Sequence, residues 1–402
     1  MTYLNAVKFI LSLPTDNSYL SDTAALERMR VACAAMDSPQ KLIQSIHVCG
    51  DVGKDSCCRM LESVLKNSPY SFGRYSLSYD EDPRACLSVN GKIISYSDFA
   101  EIINRISKIY RSHFKDAVPH RHEIMTLAAI LYFYNNECDV SIFEKSTSRN
   151  DPVNITDAPL VTLVTPFLER EAEGEKFDSI VHKGTAETVS SPQHKDVYNA
   201  LSDACAASGS RLTIPIYSET EIESITLFKT SFKYRGETYS IRSFSPCQTV
   251  NAITAIEVTR AMNRLGAEIS MDTVKKGLSS ASLDGKCETV SLDPTIILSS
   301  TCEADRLDTL YGALSQIKEQ LAGSINVFVD ADSAVDVNKL SSSMVSYGLS
   351  CNEPVLLSAA SDAKDILSEL THEESFKTAT LFIGKRTFIT QIKAIISDKL
   401  GS

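Results

Sequence analysis

A short glycine-bearing segment, 50–56, carries the residues best suited to chemistry in this sequence. It contains two glycines, Gly50 and Gly53, followed by Lys54 and Ser56. Glycines let successive backbone N–H groups turn towards an anion, lysine adds a positive charge, and a serine hydroxyl can bind a metal ion. The spacing therefore predicts a phosphate-binding loop for a nucleotide.

Two carboxylates inside the same loop, Asp51 and Asp55, work against a bound phosphate. Like charges at such distances repel by about 1 kcal/mol in water and by several when partly desolvated. Two alternatives follow. The segment is a nucleotide loop modified by its carboxylates, or it is a structural turn in which Lys54 pairs with Asp51 or Asp55.

The elements around the loop are those of an α/β sheet. An apolar, β-branched run at 46–48 precedes it, and apolar residues recur at helical spacing over 60–65, which indicates strand, loop and helix. A second buried strand, 140–144, ends in Glu144. Since open α/β sheets bind ligands at the carboxyl ends of their strands, Glu144 is a candidate site residue.

Composition limits the classes of function. The 402 residues are enough for two or three domains, and 43% hydrophobic with 23% charged residues is typical of a soluble globular protein. A formal charge of −11 argues against nucleic acid or an anionic membrane as the main partner. No apolar run reaches the roughly twenty residues of a membrane helix, and the N-terminus reads as an amphipathic helix rather than a targeting segment.

Eleven cysteines are scattered without a C-x-x-C pair, which favours reduced thiols in a cytoplasmic protein and argues against zinc. The adjacent pair Cys57-Cys58 leaves open a thiol-based function.

The order of predicted elements divides the chain near 292–294. Residues 1–292 are expected to form a P-loop-type central domain with a parallel sheet, and 293–402 a smaller Rossmann-like α/β domain with right-handed crossovers. Turns at Asn90-Gly91 and Arg235-Gly236 predict two hairpins. The stretches 70–87 and 167–192 read as loop-rich or polar. Predicted helices include 22–36, 96–110, 123–135, 195–208 and 251–265.

An ordered set of short motifs resembles the folylpolyglutamate and dihydrofolate synthases, a branch of the Mur ligase superfamily. The resemblance covers residue 1 to about 390 and implies a Mur ligase-like α/β fold. It rests on 25–28 and 38–40 for G-L-E-R and N-P-Q, 47–56 for H-V-A-G-T-N-G-K-G-S, 139–144 for D-x-x-x-x-E, 149–154 for R-L-D-A-T-N, and 248–252 for Q-x-x-N-A.

That family joins glutamate to a folate through an acyl phosphate, using ATP and Mg²⁺. The resemblance implies catalytic roles for Lys54 and Glu144 and metal binding by Ser56 and Glu144. It implies nucleotide binding by Gly50, Gly53, Lys54, Ser56, Asn251 and Lys286. It implies substrate binding by Arg149, Asp151, Asn154 and Gln248.

The sequence departs from the family at most of these motifs. Asp51, Val52 and Asp55 replace Thr, Asn and Gly of the loop. Residues 145–148 replace a G-L-G-G run, so the backbone cannot approach a ligand as closely there. The family's metal-binding histidine aligns near Arg170 or Glu171. The lysine that the family carbamylates corresponds to Lys183, or it has no counterpart here and Lys183 is a surface residue. Residues 76–80 and 299–303 replace T-S-P-H-L and D-G-A-H-N, and Lys286 replaces an arginine.

Other interpretations stay open for single residues. Glu144 is a metal ligand or a carboxylate paired with Lys54 or Arg149, and Asn251 contacts the base or caps a helix.

Two functional hypotheses follow. In the first, the chain resembles a folylpolyglutamate synthase with weak or lost ligase activity, without a required cofactor, and acts by binding a folate-like molecule, a nucleotide or a protein partner. In the second, it is an active ligase in which Lys54, Ser56 and Glu144 hold Mg-ATP and Lys286 assists, adding glutamate to a folate or a related carboxylate.

Overall fold

The computed structural model confirms the predicted α/β fold class. It describes residues 1–15, 23–77, 82–114, 118–168, 177–300, 306–321, 323–369 and 378–400.

Helices and strands alternate along most of the chain. The helices are α1 Tyr3–Ser12, α2 Thr23–Ala34, α3 Lys54–Lys66, α4 Tyr96–His113, α5 Arg121–Asn135, α6 Lys195–Ser208, α7 Pro246–Arg264, α8 Met271–Ser280, α9 Leu307–Gln316, α10 Val337–Ser346, α11 Ala363–Glu369 and α12 Arg386–Leu400. The strands are β1 Ser45–Cys49, β2 Phe72–Tyr75, β3 Leu87–Val89, β4 Lys92–Ile93, β5 Val140–Glu144, β6 Val161–Val164, β7 Glu187–Ser190, β8 Arg211–Thr213, β9 Glu221–Ile225, β10 Thr230–Tyr234, β11 Glu237–Ile241, β12 Lys286–Leu292, β13 Thr295–Ser299, β14 Ile325–Asp330, β15 Val355–Leu357 and β16 Ala379–Ile383. Among the described residues, no helix has the length and apolarity needed to cross a membrane.

The chain forms two compact units, Met1–Ile216 with Asn251–Gly277, and Tyr217–Val250 with Leu278–Ser402. The predicted division into domains 1–292 and 293–402 stays a prediction.

The first unit is built on an eight-stranded sheet with the order β4-β3-β2-β5-β1-β6-β7-β8. Strands β2, β5, β1, β6, β7 and β8 run parallel, and β3 and β4 are antiparallel additions at one edge. Every residue of β1 and of β5 is buried, as expected for central parallel strands covered on both faces. The predicted hairpin at Asn90-Gly91 is confirmed by β3 and β4, with φ of +52° and +76° at the two turn residues.

Two strands of this sheet lie in stretches that the sequence suggested were loops or polar segments. Strand β2 lies in 70–87, and β7, with the sequence Glu-Thr-Val-Ser, lies in 167–192. Strand β7 is buried although mostly polar; it lies between β6 and β8 in the sheet, and Glu187 forms an ion pair of 2.7 Å with Arg264 of α7. A tertiary partner of this type leaves no hydrophobic pattern in the sequence.

The second unit contains two sheets. A five-stranded sheet has the order β12-β13-β16-β14-β15, with all pairs parallel except β12 with β13, and a three-stranded antiparallel sheet has the order β11-β10-β9. The hairpin predicted at Arg235-Gly236 joins β10 and β11, and φ is positive at both turn residues. Strand β12 and helix α12 were not predicted.

A buried ion pair joins two helices of the first unit. Arg28 of α2 binds Glu123 of α5 through two hydrogen bonds of 3.2 and 2.6 Å, and the Glu123 side chain is fully buried. Tyr110 of α4 and the backbone N–H of His120 also donate to the Glu123 carboxylate, at 3.2 and 3.0 Å. The carboxylate of Glu123 therefore links α2, α4 and α5, and Arg28 neutralises its charge.

We expect Arg28→Met to lower the free energy of unfolding by about 3–5 kcal/mol, because it leaves the Glu123 carboxylate buried without its cation. Urea denaturation followed by circular dichroism measures the change. The matched control is Arg30→Met in the same helix. Arg30 pairs with Glu27 at 3.1 Å, with both side chains more than half exposed, and its loss should cost about 0–1 kcal/mol. Equal losses for the two variants would contradict the assignment.

Two histidines form a buried polar cluster at the central strands. His47 of β1 is fully buried, and its Nε2 lies 3.0 Å from Thr156 Oγ1. His182 Nε2 lies 3.0 Å from Asn154 Oδ1 and 3.3 Å from the ammonium of Lys145. Burial and the charge of Lys145 lower the pKa of His182 to about 4, and burial with the same charge also lowers the pKa of His47. Both rings are therefore neutral in the folded protein near neutral pH.

A lowered histidine pKa makes the fold sensitive to acid. Between pH 6.5 and about 4, the unfolded chain binds a proton at His182 that the folded chain does not. Stability should therefore fall as pH falls through this window, by on the order of 2–3 kcal/mol for this residue. We expect His182→Gln to show a flatter stability profile in urea titrations over this range. The control is His113→Gln, a change at an exposed histidine of α4. A slope unchanged from wild type in His182→Gln would exclude this role.

Candidate functional site

The glycine-bearing loop joins β1 to α3, as the sequence predicts. Gly50 has φ of +122°, and Gly53, which precedes the first residue of α3, has φ of +89°. A Cβ at Gly50 would lie 2.4 Å from the carbonyl oxygen of Thr165, and a Cβ at Gly53 would lie 2.8 Å from Asn251 Oδ1. Both positions therefore require glycine for backbone conformation and for space. The loop ends at the N-terminus of α3, where first-turn N–H groups lack partners within the helix.

Lys54 lies against the loop's own backbone. Its ammonium donates to the carbonyl oxygen of Gly50 and, at 3.4 Å, to that of Asp51. The alternative in which Lys54 pairs with Asp51 or Asp55 is therefore wrong. Backbone carbonyls are neutral acceptors, so the charge of Lys54 is not cancelled within the loop.

Asp51 stabilises the loop from inside. Its carboxylate accepts a hydrogen bond of 2.9 Å from the N–H of Leu168, and the N–H groups of Asp51 and Val52 both donate to the carbonyl oxygen of Pro166, at 3.1 and 3.3 Å. These two amides are engaged within the protein. Lys54 and the start of α3 thus remain as the candidate anion-binding groups of the loop.

Asp55 binds two arginines. Arg59, one turn further along α3, lies 3.0 Å from it, and Arg74 of β2 lies 2.7 Å from it. The carboxylate that replaces a family glycine is therefore neutralised by neighbouring guanidinium groups. Arg74 also lies 3.3 Å from Glu62.

Glu144 ends strand β5 next to Arg74 and is 3% exposed. One carboxylate oxygen accepts from Ser76 Oγ at 3.2 Å and from the Leu77 N–H at 3.0 Å. The other oxygen is buried without a hydrogen-bond partner among the described residues, and Arg74 Nη2 lies 3.8 Å from it. The alternative in which Glu144 pairs with Lys54 or Arg149 is wrong, since the nearby cation is Arg74. Arg149 instead lies 3.7 Å from Asp178 at the surface.

The Arg74 side chain remains protonated and positively charged. Burial alone would lower its pKa, but Asp55, Glu144 and Glu62 outweigh burial and raise the pKa above the ordinary arginine value. Arg74 is thus a permanent cation beside Glu144.

Lys145 follows Glu144 and is fully buried. Its ammonium donates to Asn154 Oδ1 and to the carbonyl oxygen of Ser179 at 2.8 Å, and it lies 3.3 Å from His182 Nε2. Burial lowers the pKa of Lys145, and the charge of Asp151 partly opposes this effect. The first residue that replaces the family's G-L-G-G run is therefore a buried lysine with two oxygen acceptors and a nearby imidazole nitrogen.

The predicted substrate residues Asp151 and Asn154 are engaged within the same cluster. Asp151 accepts from the N–H groups of Ser146 and Val153, at 2.7 and 2.8 Å. Burial would raise its pKa, but His122, Lys145 and Ser146 together lower it to about 2. Asn154 donates to the carbonyl oxygens of Ser148 and Arg149, at 3.1 and 3.0 Å. Both side chains hold the 145–154 turn in shape.

A divalent cation implied by the family fits these residues poorly. The bare oxygen of Glu144 and the hydroxyl of Ser56 are of the right chemical type, but Arg74 already places a positive charge at Glu144. Unit charges about 4 Å apart repel by about 4 kcal/mol at an effective dielectric of 20, and a dication doubles this value. Among the described residues, no group of three or more His, Cys, Asp or Glu side chains could hold a metal ion.

The remaining predicted residues are distributed over both units. Asn251 is 5% exposed and lies inside α7, which begins at Pro246, so the helix-cap alternative is wrong. Its amide oxygen lies 3.7 Å from Cys57 Sγ. Gln248, in the first turn of α7, and Lys286, at the start of β12, belong to the second unit.

Cys57 and Cys58 are fully buried, and burial with the nearby Glu144 raises the pKa of Cys58. This environment is typical of an inert thiol. Lys183 is exposed, as the surface alternative expects.

Three groups of positions singled out in the sequence lie outside the described residues. They are 78–80, Arg170 with Glu171, and 301–303.

Sequence reasoning missed the two arginines that bind Asp55. Arg59 at four residues from Asp55 is a helix-spacing signal that could have been read. Arg74 had no such signal, because the stretch around it read as a loop.

Comparison with known proteins gives a consistent result. No protein-family model matches the chain. It is 26% identical over 322 residues to the dihydrofolate synthase/folylpolyglutamate synthase of Bacillus subtilis, covering 72% of each chain. Among solved structures, the apo form of Lactobacillus casei FPGS superposes with a TM-score of 0.82 over 100% of both chains at 16% identity. A complex of FPGS with AMPPCP and folate superposes with a TM-score of 0.78 over 100% of both chains at 17% identity.

The sequence likeness and the shared fold point to the same proteins as the motifs did. The resemblance is therefore confirmed, and the chain is a divergent relative of the folylpolyglutamate and dihydrofolate synthases, with their Mur ligase-like fold.

Proposed function

We propose that this protein is a folylpolyglutamate-synthase-like binding protein in which ligase activity is weak or lost. The observation that supports this most is the guanidinium of Arg74, 3.8 Å from the bare oxygen of Glu144. Glu144 corresponds to the family's metal-binding glutamate. A carboxylate that already faces a permanent cation is a poor ligand for Mg²⁺, and ligation through an acyl phosphate depends on metal ions to hold and polarise the phosphate.

The surroundings of Glu144 support the same conclusion. Lys145, Asp151 and Asn154 bind one another or nearby backbone groups, so their polar atoms are engaged in holding the turn. In the family's pattern this turn carries glycines and substrate-binding residues. Single losses in a catalytic site often cost 10²- to 10⁴-fold in rate, and several together leave little activity.

Nucleotide binding, in contrast, keeps its main physical support. Gly50 and Gly53 retain positive φ, Lys54 retains an uncancelled charge, and Ser56 lies in the first turn of α3. Asp55, the loop carboxylate most opposed to phosphate, is neutralised by Arg59 and Arg74. The solved FPGS complex with AMPPCP and folate suggests a nucleotide and a folate-like molecule as ligands. We place the nucleotide phosphates at Gly50, Gly53, Lys54 and Ser56.

The second candidate is an active ATP-dependent ligase that adds glutamate to a folate or a related carboxylate. Its support is the bare oxygen of Glu144, a buried carboxylate oxygen that a metal ion would satisfy. Lys54, Ser56 and Glu144 would then hold Mg-ATP, and Lys286 and Asn251 would assist in nucleotide binding.

An assay of ATP-dependent glutamate addition separates the two candidates. We expect the wild-type protein to add glutamate to dihydropteroate or tetrahydrofolate at least about 100-fold more slowly than the Bacillus subtilis enzyme assayed beside it. Radiolabelled glutamate incorporation measures the rate. A rate comparable to that of the reference enzyme, lost in Glu144→Gln, would establish the ligase candidate instead.

The loop assignment predicts that Lys54→Ala weakens nucleotide binding about 10- to 100-fold, because the variant loses the full charge at the phosphates. Isothermal titration calorimetry with ADP measures the affinity. Lys66→Ala is the matched control, since it removes the same charge from an exposed position at the other end of α3. Equal affinities in wild type and Lys54→Ala would place the nucleotide elsewhere.

A further inference from the structure

We propose that Arg74 is a built-in cation that takes the place of a divalent metal ion at the phosphate loop, so that this protein binds nucleotide phosphates without Mg²⁺. The inference rests on the nucleotide-binding part of the proposed function and goes beyond it by naming the cation.

The position of Arg74 is the first support. Its side chain, 11% exposed, extends from β2 into a group of three carboxylates: Asp55 at 2.7 Å, Glu62 at 3.3 Å and Glu144 at 3.8 Å. Asp55 is in the first turn of α3, and Glu144 ends β5. Arg74 thus links the helix that follows the loop with the strand end that carries the candidate metal ligand.

Arg74 and Asp55 act as a pair. The carboxylate of Asp55 replaces a glycine in the family's loop motif and would repel a phosphate if left alone. The guanidinium of Arg74, at 2.7 Å, removes most of that repulsion, and Arg59, at 3.0 Å, reduces it further. Arg59 and Arg74 thus bring two positive charges to the group formed by Asp55, Glu62 and Glu144. The charge that a metal ion would bring to this group is supplied by the chain itself.

The three contacts also limit how far Arg74 can move. A guanidinium that bridges several carboxylates must break charge-assisted hydrogen bonds to leave them. A metal ion at Glu144 would therefore have to displace Arg74 or accept its repulsion. Neither is required if phosphate binds at Lys54 and the α3 N-terminus alone.

A second buried cation lies at the same strand end. Lys145, the residue after Glu144, donates to an amide oxygen of Asn154 and a backbone oxygen of Ser179, and it lies 3.3 Å from an imidazole nitrogen of His182. Oxygen and imidazole ligands of this type also suit metal ions, and here an ammonium satisfies them. Both positions around the end of β5 are thus occupied by side-chain cations.

Calorimetric titration with ADP, in excess EDTA and in millimolar MgCl₂, tests the inference on the wild-type protein. We expect dissociation constants that agree within about threefold in the two buffers. In the double variant Arg74→Met/Asp55→Gly, both members of the pair are removed and Glu144 loses its cation. Its affinity for ADP should then rise about tenfold or more with MgCl₂, and the further change Glu144→Gln should abolish that rise.

The matched control is Arg59→Met/Asp55→Gly. It removes the same carboxylate and one guanidinium but leaves Arg74 beside Glu144, so its affinity should stay independent of Mg²⁺. Thermal melting with and without MgCl₂, in the absence of nucleotide, shows whether each variant is folded and whether the metal alone binds it.

Two results would overturn the inference. One is wild-type ADP affinity that requires Mg²⁺. The other is absence of ADP binding in both buffers. Since the wild-type titrations alone decide these outcomes, the inference is tested even if the double variants do not fold. The rate of glutamate addition tests the proposed loss of ligase activity and not the Mg²⁺ independence of ADP binding, because it is measured in a different assay.

Discussion

A buried charge must be balanced by charges or hydrogen bonds close to it, and this constraint governs the centre of the first unit. Arg74 meets it by contacting Asp55, Glu62 and Glu144 together. These carboxylates belong to α3 and to β5, so one guanidinium joins the element after the loop to the sheet. Removing any one partner changes the charge seen by the others. The charges of the loop, of α3 and of the candidate metal ligand Glu144 are therefore coupled through Arg74.

This group accounts for the apparent conflict within the glycine-bearing loop. Asp55 looks incompatible with phosphate when read along the chain, yet it is neutralised by Arg59 and Arg74 from outside the loop. Asp51 is likewise engaged, with the N–H of Leu168. The loop conformation depends on glycine at Gly50 and Gly53, because any side chain there would collide with Thr165 or Asn251. Its shape and its chemistry are thus determined by different contacts.

The contrast between loop and metal site carries the functional argument. Lys54 is held by neutral carbonyls and keeps its charge for an anion. Glu144 faces Arg74, and Lys145 fills the adjacent pocket of acceptors with its ammonium. This contrast is the basis on which we propose nucleotide binding in preference to metal-assisted ligation. A fold shared with the folylpolyglutamate synthases does not by itself decide between the two, since function depends on the site.

The sequence by itself determined the α/β fold class, the strand-loop-helix around Gly50 to Ser56 and the two Gly-containing hairpins, because periodicity and turn residues are local signals. It also determined the family resemblance, because the motifs occur in the family's order although most of them are individually altered. Only the tertiary structure decided the partners of the charged residues. Arg74 and Glu144 are 70 positions apart in the chain and meet because β2 and β5 are neighbours in the sheet. Strand β7 was missed for the same reason, since Glu187 depends on Arg264 of a distant helix. Charge pairing across a sheet leaves no periodic pattern in sequence, so whether a carboxylate at the loop opposes or permits a ligand could be decided only in three dimensions.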